Sequence, residues 1–260
     1  MSMITGARTW VELPPPEPLG GGVLSVARVI DTSGHELMGV EGQTDLCATA
    51  EEWTEWCTVT PTGRKIFEDT GEYFWGDPFA IYAGVSCDLQ TLESSKTRAE
   101  TRLGYGEPRA IDQAIDAMLT VSSEVVDLGG PFPLAQGIGA AEAFAATYYG
   151  GRPTLLIPRL MIPCGGFGQF ESSPGGTLAT VAGSLVAPLT TAVAIPVDPL
   201  TPVVLYVTGS IVIYRGPVQS VSVPQQIFDN GTFAPMRALA ERVIVPVFDC
   251  LVAKVEVTCS

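Results

Sequence analysis

Residues 172–214 read SSPGGTLATVAGSLVAPLTTAVAIPVDPLTPVVLYVTGSIVIY, and between Glu171 and Arg215 the only charged residue is Asp198. Short β-branched runs lie within this span, cut by proline and glycine: Thr180-Val181-Ala182, Val193-Ala194-Ile195, Val203-Val204-Leu205-Tyr206-Val207 and Ile211-Val212-Ile213-Tyr214. Pro174, Pro188, Pro196, Pro199 and Pro202 exclude a membrane helix, because proline breaks interior helix bonding. A charge-free stretch of this length in water must be covered by protein on both sides. It therefore predicts buried strands, or surface that other subunits cover.

The flanking segments are of a different kind. Residues 1–22 form an arm: Pro14-Pro15-Pro16-Glu17-Pro18 favours an extended polyproline conformation, and Gly20-Gly21-Gly22 a flexible joint. Such a segment is disordered or lies across a neighbour. Trp53 and Trp56, three apart behind Glu51-Glu52, predict a small amphipathic helix. Residues 61–90 read as an extended excursion, with Lys65-Ile66-Phe67, Glu72-Tyr73-Phe74-Trp75 and Phe79 to Val85 separated by turns at Pro61-Thr62-Gly63 and Gly76-Asp77-Pro78. Residues 92–119 carry apolar side chains at helical spacing, from Leu92 to Met118. Gly104, Gly106 and Pro108 interrupt that pattern and predict two helices end to end, or one kinked helix, with Glu107 near the second N-terminus. A further helix is predicted from about Leu134 to Tyr149, stopped by Gly150-Gly151, with a strand at Thr154–Ile157. Near the end, Met236–Glu241 reads as helical, with Arg242–Val245 and Lys254–Val257 as strands. The order is α+β rather than alternating βαβ.

With 260 residues the chain holds one large domain or two modest ones. It is 46% hydrophobic and only 16% charged, with a mean hydropathy of +0.29, which favours surface hidden by oligomerisation. The net charge of −14 argues against a nucleic-acid-binding module, which needs clustered cations. It fits a container for DNA whose wall must not adhere to the polyanion inside. No signal peptide and no membrane span are expected. Arg outnumbers Lys 11 to 3, and Asn230 is the single asparagine, a bias that a GC-rich coding genome would give.

No motif carries chemistry. The cysteines Cys47, Cys57, Cys87, Cys164, Cys250 and Cys259 form no CxxC pair, and His35 is the only histidine, so neither a zinc site nor a catalytic triad is indicated. Without a secretion signal, reduced cysteines packed as small hydrophobes are expected. Gly165-Gly166-Phe167-Gly168 lacks the context of a dinucleotide or phosphate loop and predicts a tight turn. The acidic pairs Glu51/Glu52 and Glu68/Asp69 read as solvated charges. No enzyme and no cofactor are expected.

Four segments carry a resemblance: Pro78-Phe79-Ala80-Ile81-Tyr82-Ala83-Gly84-Val85-Ser86-Cys87-Asp88; Glu100 to Ala114, around GEPRAIDQAI; Ala143 to Pro158; and Ala240-Glu241-Arg242 with Val243 to Leu251. Together with the order of elements they resemble tailed-phage major capsid proteins, notably of actinobacterial phages, and the encapsulins that share the Hong Kong 97-type shell fold. The resemblance implies an arm and lead-in segment at 1–60, an extended loop at 61–90, a peripheral domain with a spine helix at 91–133 and 203–260, and an axial domain at 134–202. It implies a subunit that assembles into pentamers and hexamers of an icosahedral head. Such a head is built in the bacterial cytoplasm and encloses DNA without sequence-specific binding. Portal and decoration proteins are implied partners. Phe67, Tyr73, Phe74, Trp75, Pro15 and Pro16 are the implied contacts between subunits. Some such shells cross-link a loop lysine to a distant asparagine beside a buried acid, for which Lys65, Asn230 and Glu241 are the candidates. The alternatives are an encapsulin-like compartment shell, a head–tail connector or minor capsid component, and an unrelated soluble enzyme.

Overall fold

The computed structural model describes residues 17, 20–44, 47, 72–87, 92–166, 168–172, 176–191, 201–224, 226–227, 233–234, 236–250 and 252–259. The chain enters through a 3-10 turn at Val23–Ser25 and strand β1 (Arg28–Asp31). A hairpin of β2 (Val40–Thr44) and β3 (Glu72–Gly76) follows, then β4 (Phe79–Cys87) and the long helix α1 (Leu92–Val121). Two short strands, β5 (Val126–Asp127) and β6 (Phe132–Pro133), lead into helix α2 (Leu134–Tyr148) and β7 (Thr154–Pro158). A 3-10 turn (Arg159–Gly165) precedes β8 (Phe170–Ser172), β9 (Leu178–Thr180) and β10 (Leu185–Leu189). The remainder is β11 (Val203–Thr208), β12 (Ile211–Arg215), β13 (Gln219–Val223), the minor pair β14 (Gln226–Ile227) and β15 (Phe233–Ala234), β16 (Met236–Phe248) and β17 (Val252–Thr258).

Two sheets result. In the first, β16 is the hub: it pairs with β12, β13 and β4, and β1 closes the far side against β12. In the second, β17, β11, β7, β10, β9 and β8 run side by side, with β5 and β6 on the other side of β17.

Both helices bury apolar rows on these sheets, and this accounts for the charge-free stretch. Leu155, Ile157, Val186, Leu205 and Val207 face α2, together with Val255 and Val257. Alternate residues of the same strands, Leu156, Ala187, Leu189 and Tyr206, join the cluster around α1. All five residues of β7 are buried. Strands covered on both faces read as continuous apolar runs rather than alternating ones. Helix α2 approaches its sheet closely because its buried stripe is small: a Cβ added at Gly137 would collide with the Val257 side chain. Residues 192–200, with the Val193–Ile195 run, lie outside the described residues, as do Trp53, Trp56 and the two acidic pairs.

Two sequence expectations need correction, and a third leaves two arrangements open. Of those two, residues 92–121 take the single-helix form, 30 residues long with Pro108 inside it, rather than two helices end to end. Ala99, Leu103, Ile111, Ile115 and Leu119 form one i, i+4 row across the proline. Packing of that row on both sheets outweighs the lost hydrogen bond. Met236–Glu241 is strand, because it is held between β4 and β13 and alternates Met236, Ala238 and Ala240 inward. Four cysteines are not free thiols: Cys47 is bonded to Cys250 and Cys164 to Cys259, with Cα separations of 5.4 and 5.3 Å. Folding brings together positions that lie 203 and 95 residues apart, which no local motif announces.

Gly104 and Gly106 lie on the exposed side of α1, with nothing within 4 Å of an added Cβ. Alanine at either position is expected to stabilise the chain by about 0.5–1 kcal/mol, read as a shift of the denaturation midpoint. A destabilised variant at both positions would mean that helix propensity does not limit α1 there.

Candidate functional site

Helix α1 is the frame from which the functional surfaces are held. Its apolar row 99-103-111-115-119 is missing one member, and Glu107 occupies the vacant position, only 6% exposed. A buried carboxylate needs partners, and two arginines supply them. Arg242 Nη1 of β16 donates to Glu107 Oε1 and Oε2 at 2.9 and 2.8 Å, and Arg215 Nη1 of β12 donates to Oε1 at 3.3 Å. Arg215 also forms a two-pronged pair with Asp31 of β1 at 2.7 and 3.1 Å. That hydrogen bond holds the Asp31 carboxyl below the ordinary carboxylate range. One helix is thereby fastened to three strands of the first sheet. Glu107 and Arg242 come from two of the four segments that carried the resemblance, and a third, around Phe79–Cys87, pairs with β16 from Ile244 to Met236.

A second carboxylate on α1 fixes the chain at Val23. Asp112 is buried, and its Oδ1 accepts the Val23 N–H at 2.9 Å while Oδ2 accepts the Thr190 N–H at 3.0 Å. Burial pushes its pKa up, against the two backbone donors, which pull it down. Arg159 Nη2 donates to the Gly20 carbonyl at 3.0 Å, and Val23 is fully buried. Gly22 has φ +76, and a Cβ there would lie 2.6 Å from both Asp112 oxygens, so the joint must be glycine. The chain around Gly20–Val23 is thus held against α1 and the 3-10 turn at Arg159–Gly165.

The face of the first sheet turned away from α1 is unusually apolar for an exposed surface. Register places Tyr82, Glu241 and Gln219 in one row, Gly84, Leu239 and Val221 in the next, and Ser86, Arg237 and Val223 in the third. Tyr82 is 74% exposed, Val221 53% and Val223 45%. The second and third rows, with Val85 and Ala238 beneath them, line a shallow groove of about 460 Å³.

Of the residues singled out from sequence, Tyr73, Phe74 and Trp75 lie in β3, opposite Gln43, Gly42 and Glu41 of β2. Phe67, Pro15, Pro16, Lys65 and Asn230 lie outside the described residues. Sequence reasoning missed Glu107, Asp112 and the outer sheet face. The signals were present: a charge in an i, i+4 apolar row, and alternation in Gln219-Ser220-Val221-Ser222-Val223. Among the described residues no group of His, Cys, Asp and Glu side chains is arranged to hold a metal, and no helix is long and apolar enough to cross a membrane.

No protein-family model matches the chain, and no curated protein does. Solved structures do. The chain is similar to the capsid of an empty GTA particle at 11% identity, covering 98% of this chain and 96% of that one, with a TM-score of 0.54. A Mycobacterium phage Cain chain matches at 12% identity over 99% and 96%, with a TM-score of 0.54. A Mycobacterium phage Adephagia chain matches at 13% identity over 93% and 91%, with a TM-score of 0.51. Over nearly its whole length, then, the chain has the fold of these capsid and phage proteins, the α+β shell fold that its sequence resembles.

Proposed function

We propose that this chain is the structural subunit of a phage-type head, assembling with copies of itself into pentamers and hexamers of a closed icosahedral shell. The observation that carries the reading is the near full-length match to a capsid fold in a chain that leaves an apolar sheet face uncovered. Heterologous contacts of one surface patch against another close into rings and shells when the rotation is right. The subunit works by burial and carries no catalytic residues.

In this reading residues 1–60 are the arm and lead-in, 61–90 the extended loop, 91–133 with 203–260 the peripheral domain, and 134–202 the axial domain. Strands β11 and β17, which this division assigns to the peripheral part, lie in the second sheet, where β11 pairs with β7 of the axial part. Phe67, Tyr73, Phe74 and Trp75 of the loop, and Pro15 and Pro16 of the arm, lie on neighbouring subunits. Lys65 and Asn230 are the residues to examine for a cross-link. A net charge of −14 supports a wall that encloses DNA without adhering to it. Portal and decoration proteins are further partners of such a head, and the host cytoplasm is its place of assembly.

Sedimentation velocity and negative-stain microscopy of the purified chain test the proposal. Closed shells or ring-shaped capsomers are expected, and a homogeneous monomer or dimer at high concentration overturns it. Val221→Asp in the exposed groove is expected to reduce assembly at least tenfold while leaving the thermal midpoint of the free subunit within roughly 2 °C, since an exposed substitution changes stability little.

A further inference from the structure

The two disulfides bracket the same strand. Cys250 stands two residues before β17 and Cys259 directly after it. β17 is the last strand of the chain. It pairs with all six residues of β11 on one side and carries β5 and β6 on the other. At one end Cys250 is bonded to Cys47, just beyond the β2 strand of the hairpin, and at the other Cys259 is bonded to Cys164, in the 3-10 turn that follows β7. All four cysteines are partly exposed, with Cys164 and Cys259 packed at the edge of the second core cluster.

We propose that these pairs are redox staples: open while the subunit folds and assembles in a reducing cytoplasm, and closed once the particle is released into an oxidising medium. The proposal rests on the head-subunit reading for its two compartments. Reducing cytoplasm keeps ordinary thiols reduced, whereas disulfides persist outside the cell. The Cα separations of 5.4 and 5.3 Å fall in the range that a disulfide spans. The ladders of β17 with β11, β5 and β6 are made of backbone hydrogen bonds and stand without the sulfur bonds, and they end close to Cys250 and Cys259. In closing, each pair of thiols gives up two protons and two electrons to a small-molecule disulfide such as oxidised glutathione, which leaves as two thiols. The closed form holds β17 at both ends and ties the Thr44–Glu72 end of the β2–β3 hairpin to it.

The test uses the full chain. Cells are lysed directly into N-ethylmaleimide, and the labelled cysteines are located by peptide mass spectrometry. A second sample is purified, treated with oxidised glutathione and labelled in the same way. Cys47, Cys164, Cys250 and Cys259 are expected to be labelled in the first sample and protected in the second. The thermal midpoint should rise by roughly 10 °C on oxidation and return with dithiothreitol. Cys164→Ala with Cys259→Ala should fold and keep only part of that shift. Protection of all four cysteines inside cells overturns the switch, and so does labelling of all four after oxidation, or an unchanged midpoint. Cysteine labelling is read on the chain itself, so a chain that shows the switch but forms no shells refutes the head-subunit reading alone.

Discussion

Glu107→Ala is expected to destabilise the subunit by about 3–5 kcal/mol, the cost of removing one partner of a buried ionic cluster and leaving its cations inside. For a chain of this size that corresponds to a fall of roughly 10 °C in thermal midpoint by calorimetry. Arg242 faces Glu107 with both carboxylate oxygens in reach, and Arg215 keeps Asp31 as a second partner. Arg242 therefore suffers most. Glu107→Gln keeps an acceptor and should lose less, and Glu107→Leu with Arg242→Leu should recover most of the stability by completing the apolar row on α1. A loss below about 1 kcal/mol for Glu107→Ala would show that the cluster does not hold α1 to β12 and β16.

Asp112→Ala comes second. It leaves the Val23 and Thr190 N–H groups without their acceptor, at about 1–3 kcal/mol each if water does not reach them. The expected result is a fall of about 2–4 kcal/mol, with protease cleavage appearing between Gly20 and Arg28 as this anchor loosens. Limited proteolysis with mass spectrometry separates this from general unfolding, which would open α1 as well. Burial raises the folded pKa of Asp112 above its ordinary 3.8. The folded state thus holds the proton to higher pH than the unfolded chain does. The contribution of this group is complete below about pH 4 and is lost as pH rises through the folded value. The stability gap between wild type and Asp112→Ala should narrow on going from about pH 4 to neutrality; a gap that widens refutes the assignment.

What was legible in the sequence was local and strongly patterned. The runs at Val203–Val207 and Ile211–Tyr214 and the segment Leu134–Tyr149 are where they were expected, because strand content, glycine stops and apolar spacing act within a few residues. What was missed depends on distant partners. Met236-Arg237-Ala238-Leu239-Ala240-Glu241 is composed of good helix formers, and only β4 and β13 on its two sides make it a strand. Pro108 is a helix breaker by local rules, and only the packing of α1 across two sheets overrides it. Glu107 and Asp112 look like solvated charges until Arg242 and the Val23 backbone come against them. Tyr73, Phe74 and Trp75 lie in strand β3, paired with β2.

The order in which the strands are made has a consequence for synthesis. β16 is the hub of one sheet and β17 carries the edge of the other, yet they are the last two strands of the chain. While a ribosome still holds residues 236–258, β4, β12 and β13 have no common partner and β11 presents an open edge. Neither sheet can close until residues 236–258 have left the ribosome. Folding therefore waits on contacts distant in sequence, which makes it slow. Until then nascent chains on one messenger carry unpaired edges side by side, so the protein is expected to depend on chaperones during synthesis.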